Sequence, residues 1–313
     1  MKKNSRLAVH KKQQLFQNQN IKKMITVTGA TGQLGGGVID NLVKKGLAPS
    51  QITAMARNEE KAQALKAKGV NVKLGNYNDH SSMVEAFKGA DKLLFVSSSE
   101  MQNRAQQQVG VVKAAQEAGV NHILYTSIQR QSDSADSSIA FVANDHIATE
   151  NAIKESGMQY TMLRNNLYFD ILPWILGEKV FETGVFYPAQ DGKVGFALRA
   201  DMAEAAANVL LADQEGNKDY NISSPSSFTF ADVARHLSTI AGKPVSYFSP
   251  SAEEYIQALT AGGAPKEVSG FLAGFAIGAA SGEFIPGDSD LPQLLGREPI
   301  SYKAFLDGLY GQK

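Results

Sequence analysis

Met24-Ile-Thr-Val-Thr28-Gly29-Ala30-Thr31-Gly32-Gln33-Leu34-Gly35 decides the fold. A short β-branched run ends on a glycine, and apolar residues at helical spacing (Leu34, Val38, Leu42, Val43) follow as far as Gly46. The run reads as a buried parallel strand, and the second segment as a helix closed by Gly46. Three glycines spaced Gly-x-x-Gly-x-x-Gly join the two. The first permits a tight turn, the second lets backbone approach a pyrophosphate, and the third lets the helix pack closely on the sheet. Uncapped N–H groups at a helix N-terminus favour an anion. Because the next residues are strand and helix again, this is nucleotide-binding chemistry. It is not a Walker loop, since no Gly-Lys-Ser/Thr follows.

Outward from that loop, strands are predicted at 51–56, 70–74, 92–96, 123–126 and 160–163. Helices are predicted at 58–68, 81–87, 106–118 and 145–155, most of them stopped by glycine. Such alternation makes an α/β, doubly wound parallel sheet of Rossmann type with helices on both faces. From Arg164 the rhythm breaks. Residues 164–198 read as loop rich in aromatics, 201–211 as an Ala-rich helix and 219–222 as a strand. A helix at 228–241, a strand at 245–248 and a helix at 252–260 follow. The expected organisation is a dinucleotide-binding domain over 24–165, completed by 199–224. A smaller C-terminal α/β lobe, from 166–198 and 225–313, would sit over the carboxyl ends of the strands, where open α/β sheets bind ligands.

Composition limits the chemistry. With 313 residues the chain can bury a large core, and it contains no cysteine, which removes disulfides, thiolate metal sites and catalytic thiols. The charge balance of 31 bases to 31 acids hides an asymmetry: Lys2, Lys3, Arg6, Lys11, Lys12, Lys22 and Lys23 all precede Met24, and no acid does. The body after them is net acidic, a poor nucleic-acid binder. Residues 1–23 read as a basic, disordered extension without the apolar core of a secretory signal. No apolar run is long enough to span a membrane, so a cytoplasmic location without a membrane partner is expected. His10, His80, His122 and His236 are scattered and form no metal constellation.

The end of the second strand, Ala54-Met55-Ala56-Arg57-Asn58, has no carboxylate for the ribose hydroxyls of NAD. Arg57 instead offers a fork to a 2′-phosphate and Lys61 adds charge, so NADPH is expected over NADH. No flavin signature is evident.

The ordered set of these segments resembles the NmrA-like branch of the atypical short-chain dehydrogenase/reductases. Within it, the chain is most similar to the type 2 NAD(P)H:quinone oxidoreductases and triphenylmethane reductases. The segments are residues 28–35, Ala56-Arg57-Asn58 with Lys61, Gly75 to Asp79, Phe95 to Ser99, Tyr125-Thr126-Ser127, Asp145-His146 and Leu163 to Tyr168. The resemblance implies cofactor contacts from Gly29 to Gly35, including Ala30, Thr31, Gln33 and Leu34. It implies Asn76 and Tyr77 beside the adenine and Ser97, Ser98 and Ser99 along the ribose and nicotinamide. Thr126, Ser127 and Asn165 would complete that side, and Arg199 would reach back toward the cofactor. A small quinone-like or dye-like acceptor would lie near Asn165 and Tyr168, and a homodimer is a possible assembly. Trp174, Phe169 and Phe186 are expected in the lobe core.

Members of the wider superfamily carry Tyr-x-x-x-Lys on the helix after strand five. Aligned on Glu150, the lysine position here is His146 and the tyrosine position is Val142. A positioned acid is worth about 10²–10⁴-fold in rate, and a ketone needs it because alkoxide develops. A quinone does not, since the product anion is delocalised. The expected activity is therefore hydride transfer to electron-poor acceptors, with Tyr168 or His146 as candidate catalytic side chains. The alternative is a non-catalytic NADP(H)-sensing regulator.

Overall fold

The computed structural model describes residues 23–100, 102–213 and 216–311. The basic extension expected over 1–23 therefore falls outside the described residues, except Lys23. Among them the chain runs β1 (Ile25–Val27), α1 (Gln33–Lys44), β2 (Ile52–Ala56), α2 (Gln63–Ala67), β3 (Asn71–Leu74) and α3 (His80–Phe87). Next come β4 (Lys92–Phe95), α4 (Arg104–Glu117), β5 (His122–Ile128), α5 (Ala140–Glu155) and β6 (Gln159–Asn165). The remainder holds α6 (Leu172–Leu176), α7 (Val180–Thr183), β7 (Val185–Phe186), α8 (Arg199–Leu211), β8 (Lys218–Ile222) and α9 (Phe230–Ala241). It closes with β9 (Tyr247–Phe248), α10 (Ala252–Ala261), α11 (Lys266–Ala280), α12 (Leu291–Leu295) and α13 (Tyr302–Tyr310).

Seven strands form one sheet in the order β3-β2-β1-β4-β5-β6-β8, and every pairing is parallel. The order reverses between β1 and β4, the switch point where such sheets bind ligands. Alternation along the strands divides the apolar residues between two cores. Leu94, Leu124 and Leu163 join α1 and α8 on one face, while Leu93, Phe95, Ile123, Tyr125 and Met162 join α3 and α4 on the other. Both faces are thus covered, which is why β2, β4 and β5 are wholly buried. The alanines of α8 let it lie close to the glycines of α1: a Cβ on Gly37 would stand 3.1 Å from that of Ala203.

A third core gathers Phe169, Tyr187, Phe196, Phe228, Phe230, Leu237 and Phe284 with the first turn of α5. Capping boxes, Thr229 with Asp232 and Ser251 with Glu254, start α9 and α10. This lobe is tied to the ends of β5 and β6 by side chains. Gln129 Nε2 donates to the Ile285 carbonyl at 2.8 Å and Asn166 Nδ2 to the Phe284 carbonyl at 3.0 Å. Glu283 accepts from Gln131 N at 3.0 Å and from the Ser137 hydroxyl at 2.6 Å.

Several local expectations are corrected. The helix expected at 58–68 is a 3-10 turn (Glu60–Ala62) followed by the short α2. The helix expected from 145 begins at Ala140, because Ile139, Val142 and Ala143 bury in the lobe core. Of the strand expected at 245–248 only β9 forms, and it pairs in parallel with β7, which lies in the supposed loop. Phe169 is core and Phe186 stacks on Phe248, but Trp174 is 77% exposed.

Candidate functional site

A cleft of about 470 Å³ opens at the carboxyl edge of the sheet, over the switch point. Its floor is the glycine loop. Gly29 adopts φ +58°, which an L side chain rarely tolerates. Gly35 lies so close to the turn that a Cβ there would stand 2.4 Å from the Gly29 carbonyl oxygen. Helix α1 then starts at Gln33 without a side-chain cap. Its first-turn N–H groups are left for whatever enters the cleft, whose wall includes Thr31, Gly32, Gln33, Leu34 and Gly35. Backbone close to a ligand, N–H donors and room left by missing Cβ atoms suit a pyrophosphate, so the residues present fit a dinucleotide.

At the end of β2 the wall carries Met55, Ala56, Arg57 and Lys61. Arg57 is exposed and pairs with Glu100 across the opening, its guanidinium 3.2 Å from the carboxylate. After β3 come Asn76 and Tyr77. The Asn76 side chain accepts from Asn78 N at 3.0 Å. The Tyr77 ring packs edge-on against Phe95, and its hydroxyl stands 2.6 Å from Thr28 Oγ1 and donates to the Val96 carbonyl at 2.8 Å. Burial pushes that phenol up, so it stays protonated. Opposite lie Ser97, Ser98 and Ser99, and Arg199 closes the remaining side.

Four expected cofactor residues lie behind this wall rather than in it. Ala30 turns into the core beside Leu34. Thr126 is buried, its hydroxyl holding the Ser97 amide at 2.8 Å. Ser127 is also buried and gives its hydroxyl to Glu150. Asn165 is buried, at the end of β6 and outside the cleft wall. Conversely, Glu100 and Gln107 line the cleft without having been singled out, and so do Asn78 and Val96, which were quoted as parts of resembling segments but given no contact of their own. The signal for them was position: each follows β3 or β4, or opens the helix after it.

His146 lies behind the cleft wall rather than in it. It is 4% exposed, with Nε2 2.8 Å from Arg104 and Nδ1 2.8 Å from the Tyr125 hydroxyl. Burial, then the charges of Arg104 and Arg130, hold its pKa well below the usual imidazole range. Both ring nitrogens are thus occupied within the protein, and the imidazole is not part of the cleft wall. Tyr168 is half-buried. The Arg199 guanidinium carbon lies 4.5 Å from the centroid of its ring. Desolvation raises its pKa, opposed by Arg199, so the phenol is a weak acid. Among the described residues no group of His, Asp and Glu is arranged to hold a metal ion, and no helix is long and apolar enough to cross a membrane.

Known proteins resemble the chain along most of its length. The profile of the NmrA-like family matches residues 21–274. Quinone oxidoreductase 2 of Escherichia coli (strain K12) is 39% identical over 274 residues, covering 87% of this chain and 94% of the relative. The triphenylmethane reductase of Citrobacter sp., solved with NADP(H), superposes with a TM-score of 0.84 at 37% identity, over 91% of this chain and 99% of that one. The NADPH complex of an NADPH-dependent quinone oxidoreductase from Escherichia coli gives 0.83 at 37% identity, over 92% and 100%.

Proposed function

The chain belongs to the NmrA-like family, and from that premise we propose that it is a cytoplasmic NADPH-dependent reductase passing hydride to quinones or similar electron-poor acceptors. One observation carries the choice of acceptor. The tyrosine position of the ordinary dyad is Val142, and His146 beside it is buried with both nitrogens occupied. The cleft therefore offers no strong acid to a developing alkoxide, and a substrate that needs about 10²–10⁴-fold help from one would react poorly. An acceptor whose reduced anion is delocalised would not.

In this reading the glycine loop holds the pyrophosphate on backbone N–H groups, and Arg57 with Lys61 takes the 2′-phosphate. Asn76 and Tyr77 flank the adenine, and Ser97 to Ser99 flank the ribose and nicotinamide. When bound, the nicotinamide would supply the hydride, directly and without flavin or metal. Tyr168 and Arg199 border the acceptor. Tyr168 positions it through its ring, and the proton comes from water or the Tyr168 hydroxyl. The planar guanidinium of Arg199 favours a flat, electron-rich product beside it.

The test is direct. Purified full-length protein, NADPH and a panel of quinones and triphenylmethane dyes are mixed, and the absorbance of the reduced cofactor is followed. Oxidation is expected with quinones, faster with NADPH than with NADH. Tight NADPH binding with no oxidation by any acceptor would instead support a redox-sensing regulator.

A further inference from the structure

Behind the Ser97–Ser99 wall lies a buried chain of polar side chains that the proposed reaction does not use. Arg104, the first residue of α4, donates from Nε to the Ser98 carbonyl at 2.7 Å and from a terminal nitrogen to His146 Nε2 at 2.8 Å. Asp145 stands 3.7 Å from its other terminal nitrogen. The Tyr125 hydroxyl lies 2.8 Å from His146 Nδ1 and 3.3 Å from Gln108 Oε1. Gln108 Oε1 also accepts from the Ser98 amide at 3.0 Å. Its amide nitrogen donates to Thr149 Oγ1 at 3.0 Å, and Thr149 donates to the Asp145 carbonyl at 2.7 Å. Tyr125, Gln108 and Thr149 are fully buried.

Counting donors fixes the direction of each bond. A guanidinium only donates, so His146 Nε2 is bare and the ring hydrogen sits on Nδ1. Nδ1–H then donates to the Tyr125 oxygen, and Tyr125 donates to Gln108. Gln108 Oε1 receives two hydrogens, from Tyr125 and from the Ser98 backbone. The chain starts at the Ser98 carbonyl and returns to the Ser98 amide, so it closes on one residue of the cleft wall. An apolar side chain of the same size could fill the space of His146. It would leave an Arg104 N–H and the Tyr125 oxygen short of a partner, and buried groups are rarely left so.

We propose that His146 is a positioning residue: in its Nδ1–H form it links Arg104 to Tyr125 and thereby fixes the Ser98 backbone, the surface on which the ribose and nicotinamide end of the cofactor would rest. The functional half of this rests on the cofactor reading above; the clamp itself does not. A second consequence is that the imidazole must stay neutral, because an imidazolium would have a guanidinium as its nearest neighbour.

The test compares His146→Leu, which keeps volume but no polar atom, with His146→Gln, which keeps an acceptor for Arg104. Backbone amide exchange of residues 97–99 is measured in the free protein, and NADPH and quinone kinetics are measured on the same samples. His146→Leu is expected to speed exchange at 97–99 about tenfold, as a local opening. It should raise KM for NADPH about tenfold with a smaller change in KM for the quinone, as loss of one buried polar link predicts. His146→Gln should recover most of both. Nitrogen-15 spectra of the unaltered protein should show Nδ1 protonated and Nε2 bare at neutral pH. Unchanged exchange, equal effects of Leu and Gln, or a protonated Nε2 would overturn the proposal. Arg104→Met, which keeps much of the length but no donor, should reproduce the loosening and serves if His146→Leu does not fold. If the unaltered protein fails to bind NADPH, the cofactor reading falls by itself, and exchange at 97–99 still decides the clamp.

Discussion

The guanidinium carbon of Arg199 lies 4.5 Å from the centroid of the Tyr168 ring, while the same side chain reaches Gln33 in the glycine loop. Arg199 thus joins the floor of the cleft to the segment that follows β6. Asp170 holds it in place, accepting from the Arg199 backbone amide at 2.9 Å and standing 3.5 Å from the guanidinium.

The first prediction follows from that bridge. Arg199→Ala removes a ring contact worth about 0.5–1 kcal/mol and a charged hydrogen bond worth about 1.5–3 kcal/mol. Steady-state kinetics should show kcat/KM for NADPH falling by up to about thirty- to several-hundredfold, the range those two losses give if both are felt in full. Arg199→Lys should recover little, because an ammonium cannot stack flat on Tyr168 and reach Gln33 at once. Full rescue by lysine would mean that only charge matters there.

Arg57 is the second. Its pair with Glu100 joins side chains 70% and 51% exposed, so it is weak and easily exchanged for a phosphate. Arg57→Glu should raise KM for NADPH about ten- to a hundredfold, the worth of a charge-assisted bond plus a reversed charge. KM for NADH should move little. Equal losses with both coenzymes would show that Arg57 does not read the 2′-phosphate.

The third concerns Gly35. A methyl group there would meet the Gly29 carbonyl oxygen at 2.4 Å and its carbon at 2.8 Å, and both are backbone. Nothing can swing aside, so α1 must shift away from the turn, at a cost of about 1–3 kcal/mol. Gly35→Ala should lower the melting temperature and abolish NADPH binding. Gly110, inside α4, meets only the end of Met83 at 4.0 Å. Gly110→Ala should be neutral or stabilising by up to about 1 kcal/mol.

The features legible in the sequence were the local ones. The glycine loop and β1 to β6 announce themselves within a few residues, through β-branched runs and glycine stops. What escaped depends on partners far along the chain. β7 and β9 are two residues each and exist only because they meet across some 60 positions. Ser127 looked available for a cofactor until its register on β5 placed it against Glu150 on α5. Ala30 sits inside the glycine motif, yet the same turn that presents Gly29 sends its methyl into the core. Trp174 shows the converse: an aromatic residue carries no label for which side of a short helix will be wet.

The last prediction is a two-stage response of stability to acid. His122 is buried at the start of β5, with Nε2 2.9 Å from Thr161 Oγ1; burial, then the Lys92 charge, lowers its pKa from 6.5 to about 4. The unfolded chain therefore takes up a proton that the folded one refuses. Stability from this group is complete above 6.5 and declines as pH falls toward 4, at up to about 1.4 kcal/mol per pH unit. Glu150 acts lower on the scale. It is 2% exposed, and both its oxygens accept from Arg130 at 2.9 Å. Burial pushes its pKa up, but the hydrogen bonds from Arg130 and Ser127 and the nearby positive charges outweigh that, so it lies below the ordinary 4.5. Its contribution is present above 4.5 and is lost as pH drops through the depressed value. Urea midpoints should therefore fall between pH 6.5 and 4 on account of His122 and keep falling below 4.5 on account of Glu150, each group contributing at most about 1.4 kcal/mol per pH unit. Among the described residues Glu150→Gln leaves Arg130 with Asp133 as its charged partner, and should cost about 3 kcal/mol at pH 7. It should also flatten the lower limb while leaving the upper one unchanged. If Glu150→Gln keeps the lower limb, Arg130–Glu150 is not the acid-sensitive clamp and the charge must be sought elsewhere.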